Sequence, residues 1–331
     1  MSDNWIRTFS LVVSDAQGKA LTLSDFRVTF SIEWALVKFP RAATVKIYNL
    51  KPDTANRIQG GEFSSIQIIG GYQHNSGLLF SGKIRYSLSG RDNPTDTFVI
   101  IQAIDSHDAF SYATVHQSLA AGYGLTDLNT VLMKSFAPFG ITEGDTAPLP
   151  ETRFPRGRVF FGMARDGMDN LAAQCNGTWQ FVNGQRELIA DTPPEQQAVR
   201  LNSQSGLIGL PQQTIGAGVN VRCLINPTLR MGSLIQLDQT LIYRTSLPQN
   251  ALLADAGDDA APPLTEKTHN GIITVPEAQT PPASLATDGV YQVKNLSCLG
   301  DTRGKPWYMD LLCFARGAAD WVSPDALNKG A

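Results

Sequence analysis

The chain has 331 residues, 42% of them hydrophobic and 17% charged. That composition excludes wholesale disorder and allows two or three domains, at roughly 100–200 residues each. Its 27 basic and 30 acidic residues leave a net charge of −3; a dedicated duplex-DNA reader would carry a basic excess against phosphate, so that class is set aside, passing contact with DNA being left open.

The start, Met1-Ser2-Asp3-Asn4-Trp5, is polar and leads no apolar run, so no signal peptide is expected and the protein should be made and folded in a cytoplasm. Phe9–Val13 reads as a strand running into a turn at Asp15–Gly18. Phe26–Trp34 alternates with period two, which places Phe26, Val28, Phe30, Ile32 and Trp34 on one face. Ala43–Leu50 follows as a strand, and Pro52–Ile58 as a short helix with Pro in its first turn. Ser65–Gly71, Gly77–Leu88 and Thr97–Ile104 supply three more strands punctuated by glycines. In the second of these, alternation puts Lys83 and Arg85 on one face and Ile84 and Tyr86 on the other. Residues 1–104 thus read as a curled sheet or barrel.

The pattern changes at Asp105. A helix capped by Asp105 or Ser106 is expected to run to about Ala121. A second, opened by Thr126 or Asp127, carries Leu128, Val131, Leu132 and Phe136 at helical spacing, and a third should cover Phe161–Gln174. Thr178–Val182 and Gln185–Ala190 flank Asn183-Gly184, the pair that suits a type I′ hairpin turn. Residues 105–195 read as an α+β middle domain closed by a linker at Thr192-Pro193-Pro194. Beyond it, residues 196–331 return to β: Ala217–Leu224, Leu234–Leu237, Gly289–Leu299 and Trp307–Ala315. Residues 246–288, rich in Ala, Pro, Asp and Thr, are expected to be a long mobile loop, and the Ala-rich tail after Arg316 to be loosely held.

The search for chemistry is negative. Cys175, Cys223, Cys298 and Cys313 form no C-x-x-C pair, and His74, His107, His116 and His269 stand at no ligand spacing, so no zinc site is expected. Reduced, buried thiols are the expectation, with a Cys298–Cys313 disulfide as an alternative. No stretch approaches the ~20 apolar residues of a membrane span. There is no G-x-S-x-G, H-E-x-x-H, Walker loop or post-strand G-x-G-x-x-G, so no catalytic residue, metal or cofactor is assigned. Asp105-Ser106-His107-Asp108 can be an acid/base patch but reads first as a helix start. Asp255, Asp258 and Asp259 can be a calcium loop but read first as a solvated acidic one. Asp301 and Arg303 either brace a hairpin turn or form a charged contact at a subunit boundary. Lys83-Ile84-Arg85-Tyr86 is the only local hint of a nucleic-acid platform, and a strand with one wet face accounts for it.

Three segments carry a resemblance. Ala43–Leu50, with the short helix, Ile68–Tyr72 and Leu79–Ile84, resembles the N-terminal domain of phage tail baseplate hub proteins. Leu224–Leu237, through Asn226-Pro227-Thr228-Leu229-Arg230-Met231-Gly232, is similar to the later β domain of that family. Asp288–Val293 with Gly300-Asp301-Thr302-Arg303-Gly304-Lys305-Pro306-Trp307-Tyr308 resembles its closing hairpin. The order and separation of the three span nearly the whole chain, and the 246–288 loop is a departure. The resemblance implies a mainly β protein with an α+β middle domain, its two tube-like β-barrel domains arranged as a hub protomer: 1–104, then 105–195, then 196–331. It implies a homotrimeric ring that adapts a sixfold tail tube to a threefold central spike, a structural part of the virion with no active site. Tail-tube or distal tail proteins, the spike and a tape-measure protein are the implied partners, with DNA as passing cargo during ejection into the host cell. Asn49, Asn226, Arg230, Asp301, Arg303 and Trp307 are the family-motif and interface candidates. The hub of a contractile bacteriocin or secretion device is the nearest alternative; a cell-wall glycan hydrolase, which would need paired carboxylates, or a carbohydrate-binding β module is the more distant one.

Overall fold

The structure is a computed structural model that describes residues 6–35, 40–190, 198–214, 218–243, 264–268, 271–275, 285–286 and 288–315. The first region holds β1 (Arg7–Ser14), β2 (Ala20–Thr22), β3 (Val28–Ala35), β4 (Ala42–Tyr48), helix α1 (Pro52–Gln59), β5 (Ser65–Tyr72), β6 (Asn75–Arg91) and β7 (Thr97–Ile104). The middle holds α2 (His107–Tyr112), β8 (Thr114–Leu119), α3 (Leu125–Phe136), β9 (Thr142–Thr146), β10 (Arg158–Met163), α4 (Ala164–Gln174), β11 (Gly177–Val182) and β12 (Gln185–Ala190). The last holds β13 (Val199–Arg200), β14 (Gln212–Gln213), β15 (Val219–Leu224), β16 (Leu234–Gln236), β17 (Leu264–Thr268), β18 (Gly271–Val275), β19 (Val290–Asp301) and β20 (Trp307–Ala315). The protein is mainly β with an α+β middle, as its patterning predicts.

The period-two alternation of Val28, Phe30, Ile32 and Trp34 buries all four, because alternate residues of a strand share a face. The first and last regions form one sheet in the order β14-β15-β20-β19-β3-β4-β7-β6-β5-β1-β2. They join where β3 lies antiparallel to β19, from Thr29 opposite Asp301 to Ala35 opposite Asn295. Both contribute to a single apolar cluster, from Leu11 through Ile47 and Phe80 to Cys313. Among the described residues no strand pairing closes a ring; curling brings β1 back over the middle of the sheet, with Phe9 stacked 5.6 Å from Phe30 and set edge-on to Trp307 at 6.2 Å. The middle region has its own core around Leu128, Leu132, Phe136, Met168, Leu171 and Phe181.

Several local expectations give way to pairing. The helix expected from 105 to 121 stops at Tyr112, and Ala113 is extended. Thr114–Leu119 instead pair with β10, whose Phe161 the helical reading had placed at a helix start. A strand partner decides such β-branched and aromatic stretches. Ser106 does not cap: it sits at φ 49 and offers no side-chain cap bond. In α3 the capping carboxylate is Asp127, which accepts the Gly124 N–H at 2.8 Å. A bulge at Arg85 shifts register between Ile84 and Tyr86, so Tyr86 turns outward, 54% exposed, rather than sharing a face with Ile84. The expected loop 246–288 contains the hairpin β17–β18; the acidic triplet Asp255, Asp258 and Asp259 and the tail after Arg316 lie outside the described residues. All four cysteines are free. Cys298 faces Met309 and Cys313 faces Val293, an offset along the ladder of about 13 Å at ~3.3 Å per residue. A disulfide cannot span that.

Candidate functional site

The turn between β19 and β20 is a clamp. Asp301 accepts Arg27 Nη2–H at 2.8 Å and the Arg303 N–H at 2.9 Å. Burial pushes the Asp301 carboxyl up, but the Arg27 and backbone hydrogen bonds outweigh it, and its pKa lies below the ordinary aspartate value. Gly304 packs directly on that carboxylate, so a Cβ there would overlap it. The Arg303 guanidinium donates to the Asp25 carbonyl at 2.8 Å, and Thr302 N–H donates to the Val28 carbonyl at 3.0 Å. From β1, Arg7 donates to the Gly304 carbonyl at 2.7 Å and lies 5.5 Å over the Trp307 ring. Trp307 itself is buried edge-on against Phe30 at 5.6 Å. Within the chain both residues brace the turn, Asp301 through Arg27 and the Arg303 backbone, and Arg303 through the Asp25 carbonyl.

Asn49 stands beside this clamp. It adopts a left-handed φ of 57, accepts the Thr97 N–H at 3.0 Å and donates to Asp96 at 3.1 Å, tying the end of β4 to the β6–β7 turn. A shallow groove of about 360 Å³ lies between Asn49, Tyr48, Arg27 and Arg303. The structure therefore gathers Asn49, Asp301, Arg303 and Trp307 at one end of the sheet and leaves Asn226 and Arg230 elsewhere.

Those two sit where the regions meet. Asn226 accepts from Thr228 N–H at 3.0 Å and from Asn75 Nδ2 at 3.1 Å, joining the β15–β16 connection to the start of β6. Arg230 donates to Glu187 Oε1 at 3.0 Å. Gln180 donates to Glu187 Oε2 at 3.0 Å and accepts the Trp34 indole N–H at 2.7 Å. Trp34, Gln180, Glu187 and Arg230 thus run as one ladder across all three regions. Burial raises the Glu187 pKa, against the lowering pull of Gln180 and Arg230.

A second node completes the seam. Arg41 donates to Asp105 Oδ2 through Nη2 at 2.6 Å and Nε at 3.1 Å, both side chains being buried. The type I′ turn forms as its sequence predicts, with Asn183 at φ 52 and Gly184 at φ 80, and its two N–H groups donate into the Asp105 carboxylate at 2.7 and 3.3 Å. Asn183 Oδ1 accepts from Arg41 at 2.6 Å and from Ser81 N–H at 2.9 Å. Asp105 is thus a partner of Arg41 rather than a helix cap. Asp108 binds Lys83, and His107 Nδ1 lies 3.4 Å from Asp108. Within the middle region the buried Arg186 donates to Glu143 and to Asn129, both at 2.7 Å; burial lowers its pKa.

Gln180, Arg186 and Glu187 escape a sequence reading because polar residues at strand positions look like a wet face, and Arg41 because a charge just ahead of a strand looks solvated. The only available signal was the Asn183-Gly184 turn, whose donors must find an acceptor. Among the described residues no group of His, Cys, Asp or Glu is arranged to hold a metal ion, and no helix is long and apolar enough to cross a membrane.

No protein-family model matches the sequence, and no curated protein matches it. Solved structures do match by fold. The 43 kDa tail protein of prophage MuSo2 from Shewanella oneidensis superposes with a TM-score of 0.55 at 7% identity, over 93% of this chain and 97% of that one. A tail protein from Neisseria meningitidis MC58 gives 0.49 at 12% identity over 96% and 99%. The Escherichia coli type VI secretion component c3393 gives 0.49 at 7% over 96% and 78%. The chain therefore has the fold of a phage tail protein.

Proposed function

We propose that the chain is a structural baseplate hub subunit of a phage or phage-like tail. The observation that carries this reading is end-to-end agreement in fold with a prophage tail protein, over 93% of this chain and 97% of the other. Three copies form a ring between a sixfold tail tube and a threefold spike, and tape-measure protein and DNA pass through it. On this reading the first and last regions are the two tube-like units and residues 105–195 an insert seated on them. A seam anchored on the buried Arg41–Asp105 ion pair fits a part that holds shape under load, since a charge without its partner is strongly unfavourable in the interior. Asn49, Asn226, Arg230, Asp301, Arg303 and Trp307 serve the architecture of each protomer. The net charge of −3 suits a lumen that does not trap DNA. Sedimentation of the full chain tests the reading: a species near three times 35.9 kDa, alone or with a spike protein, is expected, and a monomer under both conditions overturns it.

A further inference from the structure

A groove of about 660 Å³ runs over the outer face of β15, β20 and β19, a size that holds a small ligand. Strand register lays two rows of side chains across it. Asn220 is opposite Leu312, and Leu312 opposite Asn295; two residues along, Arg222 is opposite Asp310, and Asp310 opposite Ser297. Alternation turns both rows away from the core, into which Val221, Leu311 and Leu296 point. The wall is the segment before β15. Ile208 N–H donates to the Arg222 carbonyl and Leu224 N–H to the Gly206 carbonyl, both at 2.8 Å, which pins that segment along the strand. It brings Gln212 to the groove and leaves Ile208 and Leu210 37% and 56% exposed beside it.

The charged residues lining the groove are a pair closed on itself. Arg222 donates to Asp310 through Nε at 2.6 Å and through Nη2 at 3.0 Å, and its guanidinium lies 4.2 Å over the Tyr308 ring. Asn220, Asn295, Gln212 and Ser297, by contrast, make no side-chain hydrogen bond among the described residues. Three amides and a hydroxyl, all able to donate and accept, thus face one space with that capacity unspent. Asn220 and Asn295 stand two strands apart, about 10 Å at ~4.8 Å per strand. These features select a ligand. A strongly charged one finds no uncompensated partner, and Glu33, opposite Ser297 in the next strand, disfavours an anion further. A wholly apolar one would strip water from the amides without replacing their hydrogen bonds. A sugar ring carries hydroxyls round its rim and C–H groups on its faces, so it can satisfy the amides and lie on Leu312, Ile208 and Leu210 at once. The spacing of the two asparagines matches two linked rings.

We infer that this groove binds a neutral glycan chain. Asn220, Asn295 and Gln212 are its hydrogen-bonding residues, and Arg222, fixed by Asp310, donates through the N–H groups that the carboxylate leaves over. The groove is complete within one chain, so the inference goes beyond the hub reading and does not need it. Among the described residues no aromatic ring lines the groove, so affinity rests on hydrogen bonds and is modest. Isothermal titration calorimetry of the full chain with three uncharged probes, maltohexaose, cellohexaose and chitohexaose, tests it. At least one is expected to bind with a Kd of about 1 mM or tighter. Asn220→Ala and Asn295→Ala, at exposed positions, should keep the circular dichroism of the wild type and each weaken binding about tenfold. Gln117→Ala, exposed in the middle region, should bind as the wild type does. Failure of all three probes overturns the inference, as does binding that neither asparagine variant changes. A heparin hexasaccharide that binds more tightly than every neutral probe overturns the selection for an uncharged ligand. A trimeric chain that binds no probe removes the glycan groove and leaves the hub reading standing; a monomeric chain that binds one does the reverse.

Discussion

The continuous sheet and the middle region are held by different physics. The sheet is registered by apolar alternation: Val28, Phe30, Ile32, Val45 and Ile47 fill one shared cluster with residues from the other end of the chain. The middle region keeps a smaller core of its own; it meets the sheet through an apolar contact of Val182 and Ile189 with the sheet's cluster and through directional polar pairs, the buried Arg41 with Asp105 and the buried Glu187 with the half-exposed Arg230. Apolar contact is non-directional and tolerates sliding, whereas a buried charge accepts one geometry. A unit seated on such a seam has one orientation available.

The largest effect that would break this contrast is at the seam. Asp105→Ala leaves Arg41 buried without its carboxylate and should cost roughly 3–5 kcal/mol. Hydrogen exchange should then rise first across residues 114–190, with the sheet still protected; uniform loss across both regions would show that they are one cooperative body. Trp307→Ala should cost roughly 3–4 kcal/mol by opening a cavity against Phe9 and Phe30. Here the sheet should loosen first, and chemical denaturation followed by exchange reads the order. Asp301→Asn weakens the clamp at the β19–β20 turn and should cost about 1.5–2 kcal/mol at pH 7, since the lost hydrogen bonds are to a charged group.

The two nodes also answer pH with opposite sign. Asp301 has a lowered pKa, so its contribution is complete above the unfolded value of about 3.9 and disappears as pH falls through the folded value. The gap in stability between wild type and Asp301→Asn should therefore close on acidification. Glu187 has a raised pKa, so its contribution is complete below the unfolded value, about 4.3, and is lost as pH rises through the folded one. Glu187→Gln should flatten that decline; an unchanged slope would show that the carboxylate is hydrated. The smallest effect concerns the thiols. Burial raises the pKa of Cys223 to about 12 and pushes Cys298 and Cys313 up as well, so alkylation of the native chain at pH 8 should reach Cys175 alone, and all four only after denaturation.

What could be read from the residues follows the range of the forces involved. Val28–Trp34 alternates, and Asn183-Gly184 can adopt positive φ at little cost; both are properties of a few neighbouring residues, and both hold in the structure. The mainly β class and the turn at Asp301–Gly304 follow from such local signals. Residues 105–121 and 158–163 did not yield, because Thr114–Leu119 and Arg158–Met163 become strands only by pairing with each other. The seam was illegible for a stronger reason. A lone Glu187 in a strand, or Arg41 just ahead of one, looks like solvent-facing charge, and its burial becomes favourable only when partners 43 or 64 residues away arrive with matching geometry. Local backbone preference and side-chain period were thus determined by the sequence itself. Which edges meet and which charges are buried were decided by long-range closure, where a group's free energy depends on neighbours that only the folded chain supplies.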